Sequence, residues 1–75
     1  MKITVSTPMK GREITDLLIG YHENGASYAF LGKSGLNYSF EVTGLDGEQA
    51  VRIVKQLIGA TEYGKVLYYN VSVSG

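Results

Sequence analysis

The one histidine and the carboxylates near it are the first residues to consider for chemistry. His22 has the carboxylate of Glu23 beside it in sequence, and the chain contains no cysteine. A catalytic or metal-binding role for His22 needs partners of defined type, and neither a second histidine nor a thiolate is available. We therefore expect a solvated histidine at a helix end, where it interacts with the helix dipole. No nucleophile and base stand out as a pair, so the sequence predicts a protein that is not an enzyme.

Two other patterns have the residue types of ligand sites. Gly32-Lys33-Ser34-Gly35 contains the Gly-Lys-Ser string of a phosphate-binding loop, but that loop needs an upstream glycine and a following helix. Here a strand pattern follows, so a hairpin turn is expected. Glu13 and Asp16 lie one helical turn apart, but a stable Mg²⁺ or Ca²⁺ site needs more oxygen ligands than these. The sequence predicts no metal and no cofactor.

Length and composition set the class of protein. The 75 residues suffice for a single small domain, and a hydrophobic fraction of 44% is that of a globular protein. The absence of cysteine excludes disulfides and favours the cytoplasm. No apolar run reaches the roughly 20 residues of a membrane helix, so a soluble protein is expected. Seven basic residues, scattered among seven acidic ones, argue against nucleic-acid binding, which needs clustered cations.

The elements that would position these residues begin with a strand over Lys2–Ser6, where apolar and polar residues alternate. Thr7-Pro8 is typical of a helix start, although Gly11 favours a start at about Lys10. A helical stripe follows, and Asn24-Gly25 would end that helix in the left-handed conformation. The stripe consists of Ile14, Leu17, Leu18 and Tyr21.

A second interpretation of this segment stays open. Asn24-Gly25 is also a strong two-residue hairpin signal, which would make Lys10 to Glu23 a strand. That version would bury Asp16 or leave Leu18 on the wrong side, so helix is favoured. The strand version would give a β-meander with a single helix.

An aromatic hairpin is predicted next. Ala26–Leu31 and Leu36–Thr43 both alternate, and a three-residue loop at Lys33-Ser34-Gly35, with Gly35 left-handed, would join them. This register places Phe30 opposite Tyr38, and it places Tyr28 opposite Phe40.

The last third of the chain predicts a helix and a strand. Asp46 is a capping residue with Gln49 in the capping-box position, and an apolar face runs to Ile58 before Gly59. Lys65–Val73 alternates as a strand. The order βαββαβ predicts an α+β, ferredoxin-like fold, with two helices on one face of a four-stranded antiparallel sheet. In that fold Ala26–Leu31 and Lys65–Val73 would be the edge strands.

The C-terminal edge is the surface most suited to a function. Val66–Ser74 has neither charge nor proline, whereas edge strands usually carry such guards against pairing with another chain. The open face of the sheet, by contrast, would display Tyr68 as its one aromatic residue and Glu41 near its centre, which argues against a single-strand RNA reader. We therefore expect strand addition at this edge, by a second copy or by another protein.

One segment resembles a known group. Glu13-Ile14-Thr15-Asp16-Leu17-Leu18 and Glu23-Asn24-Gly25-Ala26-Ser27-Tyr28 look like part of certain short phage-encoded proteins of unknown function. In that group a helix runs through a glycine stop into an aromatic strand; the usual second glycine is alanine here. The resemblance covers about a fifth of the chain and implies a mobile-element origin. Phage proteins of this size are often inhibitors of host machinery, including anti-CRISPR proteins, though no residue role follows from this analogy.

The leading hypothesis is thus a non-catalytic protein-binding module that inhibits or modifies a larger host protein, such as a defence nuclease, and that can form a homodimer. Its expected binding residues are Val66, Tyr68 and Asn70 on the last strand, and Arg12, Glu13 and Asp16 on the first helix. The alternative is a homodimeric regulatory domain that senses a small ligand at the Pro8-Met9-Lys10-Gly11 loop. The third hypothesis is a protein that binds single-stranded nucleic acid.

Overall fold

The elements follow from alternation in the strands and apolar stripes in the helices. The fold is known from a computed structural model that describes residues 1–23 and 25–74. The elements are β1 (Lys2–Ser6), α1 (Gly11–Ile19), β2 (Ser27–Ser34), β3 (Asn37–Thr43), α2 (Gly47–Gly59), a 3₁₀ turn (Tyr63–Lys65) and β4 (Asn70–Ser74). Neither α-helix in this part of the chain has the length and apolar character needed to cross a membrane.

The four strands form one antiparallel sheet in the order β2-β3-β1-β4. The predicted class, α+β with two helices and a four-stranded antiparallel sheet, is confirmed. The alternative β-meander with one helix is wrong, because residues 11–19 form an α-helix. β1 and β3 are the central strands, while β2 and β4 are the edges.

One row of strand side chains forms the core together with both helices. In β1, Ile3 lies opposite Phe40 and Val5 lies opposite Val71, and the two β1 side chains are completely buried. The helices contribute Ile14, Leu18, Ala50, Val54 and Ile58 to the same cluster. The opposite row of the sheet is mostly polar, with Ala29 as an apolar member.

The first helix starts within one residue of the predicted position and ends earlier than predicted. It begins at Gly11, and the Thr7 hydroxyl donates to the Met9 carbonyl (2.6 Å) instead of capping the helix. It ends at Ile19, where the Gly20 amide donates to the Asp16 carbonyl and the Tyr21 amide donates to the Leu18 carbonyl, so Asn24-Gly25 does not end the helix. Asn24 lies outside the described residues. The apolar stripe itself is correct up to Leu18.

The hairpin register was predicted wrongly. Phe30 lies opposite Phe40, not Tyr38, and Tyr28 lies opposite Val42, not Phe40. A two-residue loop, Gly35 and Leu36, replaces the predicted three-residue loop, and the register shifts between Phe30 and Gly32. This shift is a β-bulge, in which Leu31 is the extra residue. Gly35 has the predicted left-handed conformation, with φ of 60°.

The second helix matches its prediction and the last strand does not. The Asp46 side chain accepts a hydrogen bond from the Gln49 amide (2.8 Å), and Gln49 reaches back to the Asp46 amide, which completes the capping box. The last strand begins at Asn70 instead of Lys65. Pairing with β1 starts only where β1 ends, at Ser6 opposite Asn70.

The buried Tyr28 hydroxyl lowers the stability of the folded state. The residue is 3% exposed, and its oxygen has no hydrogen-bond partner. Burial, and to a lesser degree the neighbouring Tyr21, raises the pKa of Tyr28 from 10.0 to about 12. The folded state therefore disfavours the phenolate, and stability is lost as the pH rises from the unfolded-state value of 10 through the folded-state value of about 12.

We predict that Tyr28→Phe raises the free energy of unfolding by about 1 kcal/mol, because it removes a buried hydroxyl without a partner. It should also flatten the fall in stability above pH 10. Urea denaturation at pH 7.5 and between pH 9.5 and 11.5 measures both effects. Tyr68→Phe, at an exposed position, is the matched control and should change neither. A stability loss at neutral pH in Tyr28→Phe would mean that the hydroxyl is bonded in solution.

Candidate interaction surface

Exposed apolar side chains gather at one end of the sheet. Tyr68 is 88% exposed and Val66 is 87% exposed, and neither is charged or packed in the core. Three further exposed apolar residues share hollows with Tyr68. We call this set the Tyr68 patch: Pro8, Met9, Leu36, Val66 and Tyr68.

Two hollows flank Tyr68. The first, of about 270 Å³, lies between Tyr68, Val66 and the Met9 region, and Lys10 and Tyr63 also line it. The second, of about 220 Å³, lies between Tyr68 and Leu36 and includes Asn70. Tyr68 is therefore a ridge between two grooves, and the patch has relief that a partner's side chains can fill.

The sheet brings these loops together. At its end, Ser6 lies opposite both Asn37 and Asn70, so the β1–α1 connection, the tip of the β2–β3 hairpin and the approach to β4 are adjacent. The Thr7 amide donates to the Leu36 carbonyl (3.0 Å), which ties the hairpin tip to the loop after β1. Residues far apart in sequence thus form one surface.

The segment before β4 points Tyr68 outward because its neighbours point inward. Leu67 and Tyr69 are half-buried and pack against the core cluster. The Leu67 amide donates to the Tyr63 carbonyl (2.8 Å), and the Tyr69 hydroxyl approaches the Lys55 carbonyl at 3.4 Å. Tyr68 lies between these two inward-facing side chains and is exposed to solvent. Val66 is exposed as well, at the end of the 3₁₀ turn, where its φ of −121° and ψ of −9° are not those of an extended chain.

Gly64 fixes where this segment leaves α2. A Cβ atom at Gly64 would lie 1.7 Å from the Ile58 carbonyl oxygen, so no larger residue fits there. The Gly64 amide donates to the Thr61 hydroxyl (2.9 Å), which in turn donates to the Ile58 carbonyl (2.6 Å). The turn is thereby held against the C-terminal end of α2.

The patch continues onto an open sheet edge. Within residues 1–23 and 25–74, no strand pairs with the outer side of β4. Asn70–Ser74 carries neither charge nor proline, so nothing in its side chains opposes the approach of another strand.

The structure divides the residues predicted for binding. Val66, Tyr68 and Asn70 lie together, although the first two precede the strand instead of belonging to it. Glu13 forms an ion pair with Lys10 (3.6 Å), which lines the larger hollow, so Glu13 lies close to the rim of the patch.

Arg12 and Asp16 belong elsewhere. Arg12 lines a different hollow, beside Phe30 and Lys33 of β2. Asp16 is exposed on α1. These two residues do not extend the Tyr68 patch.

Sequence reasoning did not include Leu36 or Met9 in the binding surface. The alternation of Leu36–Thr43 predicts that Leu36 belongs to a strand, but it occupies the hairpin loop and is 55% exposed. Met9 lies in the Pro8-Met9-Lys10-Gly11 loop that the sequence predicts as a ligand site under the alternative hypothesis, and it is 63% exposed. The available signal was that both are apolar residues beside a glycine or proline, where a turn is expected to be solvated.

The ranges 1–23 and 25–74 also bear on the metal site and the phosphate loop considered from the sequence. They contain no group of three or more His, Cys, Asp and Glu side chains that could hold a metal ion. Gly32, Lys33 and Ser34 lie in β2 and precede a hairpin, so this is not a phosphate loop.

The open face of the sheet carries the carboxylate of Glu41, which is paired with the N-terminal ammonium. The Met1 ammonium lies 2.9 Å from Glu41 Oε2, and this hydrogen-bonded contact, aided by Lys2, holds the pKa of Glu41 below its ordinary value. The carboxylate therefore stays ionised at neutral pH, with its charge compensated by the Met1 ammonium.

The comparisons with known proteins add no relatives: no protein-family model, curated protein or solved structure matches the chain.

We predict that Gly64→Ala lowers the free energy of unfolding by about 2 kcal/mol, since the new Cβ must displace the turn from the Ile58 carbonyl. Thermal denaturation followed by circular dichroism measures the loss. Gly59→Ala is the matched control, because nothing lies within 4 Å of its Cβ position at the end of α2. The control should be neutral or slightly stabilising. Equal behaviour of the two variants would contradict the packing described for the turn.

Proposed function

We propose that this chain is a non-catalytic protein-binding module that docks a larger protein through the Tyr68 patch and the β4 edge. The observation that carries the proposal is the 88% exposure of Tyr68 on a segment whose flanking side chains are anchored in the core. Contiguous exposed apolar residues on a small domain mark interaction sites more often than chance exposure does.

Tyr68 has the properties of an anchor residue. Tyrosine offers a large, rigid, amphipathic side chain, and such residues dominate binding energy when a partner covers them fully. Its segment is held by backbone bonds to Tyr63, so little conformational entropy is lost on binding. The ion pair of Lys10 and Glu13 beside the larger hollow would contribute orientation more than affinity.

The β4 edge supplies the second element of the proposed interface. A partner strand added beside Asn70–Ser74 would form main-chain hydrogen bonds, while its neighbouring side chains would reach Tyr68. The same geometry serves a second copy of this chain across a two-fold axis, so a homodimer is one form of the proposal.

We take the arrangement to be ferredoxin-like. The support is that β1 and β3 are central and that both helices share one core with a single row of the sheet. In this arrangement the last strand is an edge by construction, which suits it to strand addition.

The partner class rests on the resemblance of residues 13–28 to short phage-encoded proteins. On that basis we propose a host protein, such as a defence nuclease, that is inhibited or modified in the host cytoplasm. No catalytic contribution from the chain is required for inhibition by occlusion.

A second candidate function is supported by the larger hollow. About 270 Å³ lined by Pro8, Met9 and Lys10 is close to the lower size of a small-molecule site. It coincides with the loop at which a homodimeric metabolite sensor would bind its ligand. That function requires a thermal shift with an amino acid or nucleotide, and a flat response across such a panel excludes it.

We predict that Tyr68→Ser strongly reduces capture of a stoichiometric partner from a nuclease-treated bacterial lysate by the tagged chain. Removing the anchor should weaken binding by at least about tenfold, the effect of about 1.4 kcal/mol. Thermal stability should change little, because the side chain is exposed. Quantitative mass spectrometry of the bound proteins provides the readout.

Leu31→Ser is the matched control, since Leu31 is apolar and 50% exposed but lies in β2. It should leave capture unchanged. Ser72→Lys places a guard charge on β4 and should reduce capture if strand addition contributes. A partner retained by Tyr68→Ser and lost by Leu31→Ser would overturn the assignment of the surface, and loss of all prey on nuclease treatment would point to nucleic acid.

A further inference from the structure

A further hollow lies at the β2 edge. It encloses about 350 Å³ between α1 and the β2–β3 hairpin. Its lining residues are Arg12, Thr15, Phe30, Lys33 and Tyr38. None of these belongs to the Tyr68 patch, so this hollow is independent of the function proposed above.

The bulge at Leu31 puts Lys33 at this hollow. Phe30 lies opposite Phe40, but Gly32 lies opposite Ser39, so β2 contains one extra residue. This extra residue moves each later side chain of β2 to the opposite face of the sheet. Without the bulge, Lys33 would share the polar face of the sheet. With it, Lys33 lies opposite Tyr38, and its ammonium is 5.4 Å from the centre of the Tyr38 ring. Bulges commonly re-aim a side chain beside a functional site.

The two cations of the hollow carry unneutralised charge. Among the described residues the ion pairs are Lys10–Glu13, Arg52–Glu48 and the Met1 ammonium with Glu41, so neither Arg12 nor Lys33 is paired. Asp16 follows Arg12 by one turn of α1 but forms no ion pair with it. The hollow is therefore complementary to an anion.

The aromatic wall is preformed. Phe30 is 42% exposed, and its ring centre lies 5.6 Å from that of the fully buried Phe40 and 6.4 Å from that of Tyr38. The Tyr38 ring is held against the start of α1, because a Cβ at Gly11 would lie 1.9 Å from Tyr38 Cζ. A flat apolar surface is thus fixed beside two cations before any ligand arrives.

From these features we infer that the hollow binds a small aromatic anion, a flat ring that bears a carboxylate or a phosphate. The ring lies on the exposed part of Phe30, and the anionic group reaches the Arg12 guanidinium and the Lys33 ammonium. Both components are needed, since an exposed pair of cations alone holds a simple anion weakly. The volume accommodates a ligand of about one or two rings.

The test is a titration of the full-length, ¹⁵N-labelled chain followed by amide chemical shifts. The probes are phenyl phosphate and indole-3-acetate, which combine ring and charge. Inorganic phosphate supplies the charge alone, and benzyl alcohol supplies the ring alone. We expect saturable shifts centred on Arg12, Phe30, Lys33 and Tyr38 for at least one combined probe, and at least tenfold weaker binding of both single-feature compounds.

Lys33→Gln and Arg12→Gln should each weaken the binding of that probe by about tenfold. Lys55→Gln, at an exposed cation on α2, is the matched control and should have no effect. Deletion of Leu31 is a second variant that removes the bulge while keeping every lining side chain; if its spectrum is that of a folded protein, binding should be lost.

Three results would overturn the inference. They are the absence of saturable shifts for both combined probes, binding of inorganic phosphate as tight as that of phenyl phosphate, and shifts that map to the Tyr68 patch. Since Lys33 and Arg12 lie outside that patch, these outcomes leave the protein-docking proposal unaffected. Failure of Tyr68→Ser to alter partner capture would likewise leave the aromatic-anion site standing.

Discussion

The pairing of β1 on both of its sides is the constraint on which the rest of the structure depends. The five residues of β1 pair with β3 on one side and with β4 on the other. The two apolar residues of β1, Ile3 and Val5, are completely buried beneath the helices. A slip of one residue on either side would place these side chains on the polar face. Because β1 is so short, it also determines where the sheet stops. The Tyr68 patch consists of loop residues that gather around the end of the sheet at Ser6.

Close backbone approaches then determine how rigid those loops are. Gly11 lets α1 begin against the Tyr38 ring, and Gly64 lets the turn after α2 lie on the Ile58 carbonyl. In a domain of 75 residues, which buries only a limited apolar surface, such contacts order segments that the core alone would leave mobile. The two candidate surfaces are preorganised for this reason. A preorganised surface loses less entropy on binding than a flexible one, which makes a small exposed patch sufficient for recognition.

The sequence predicts those features that depend on local chemistry. The capping box at Asp46 and Gln49 is readable because both partners are three residues apart, and the stripe through Ile14 and Leu18 is readable because helical spacing is regular. The start of β4 could not be predicted from the sequence. The alternation of buried and exposed side chains extends back from β4 through Tyr69 and Leu67, which pack against the core. A strand also needs a neighbouring strand to pair with, and β1 has already ended at this point.

The hairpin register shows the same limit. A three-residue loop and a two-residue loop with a bulge both keep Tyr28, Phe30 and Phe40 on one face, so the aromatic pattern cannot distinguish them. The bulge decides instead where Lys33 points, and the hollow at Arg12 was invisible for that reason. Likewise the Tyr68 patch combines loops that only the sheet brings together, so the sequence predicts Val66, Tyr68 and Asn70 as binding residues but not Met9 or Leu36.

The central claim is that this protein acts by docking another chain at the Tyr68 patch and the β4 edge. Amide hydrogen exchange of the chain, free and saturated with its captured partner or at self-associating concentration, tests it most directly. The account predicts new protection over residues 66–73 and at the loops around Met9 and Leu36, with α2 and β2 unchanged. Protection confined to the β2 edge or to the outer face of α2, with residues 66–73 exchanging as in the free protein, would contradict it.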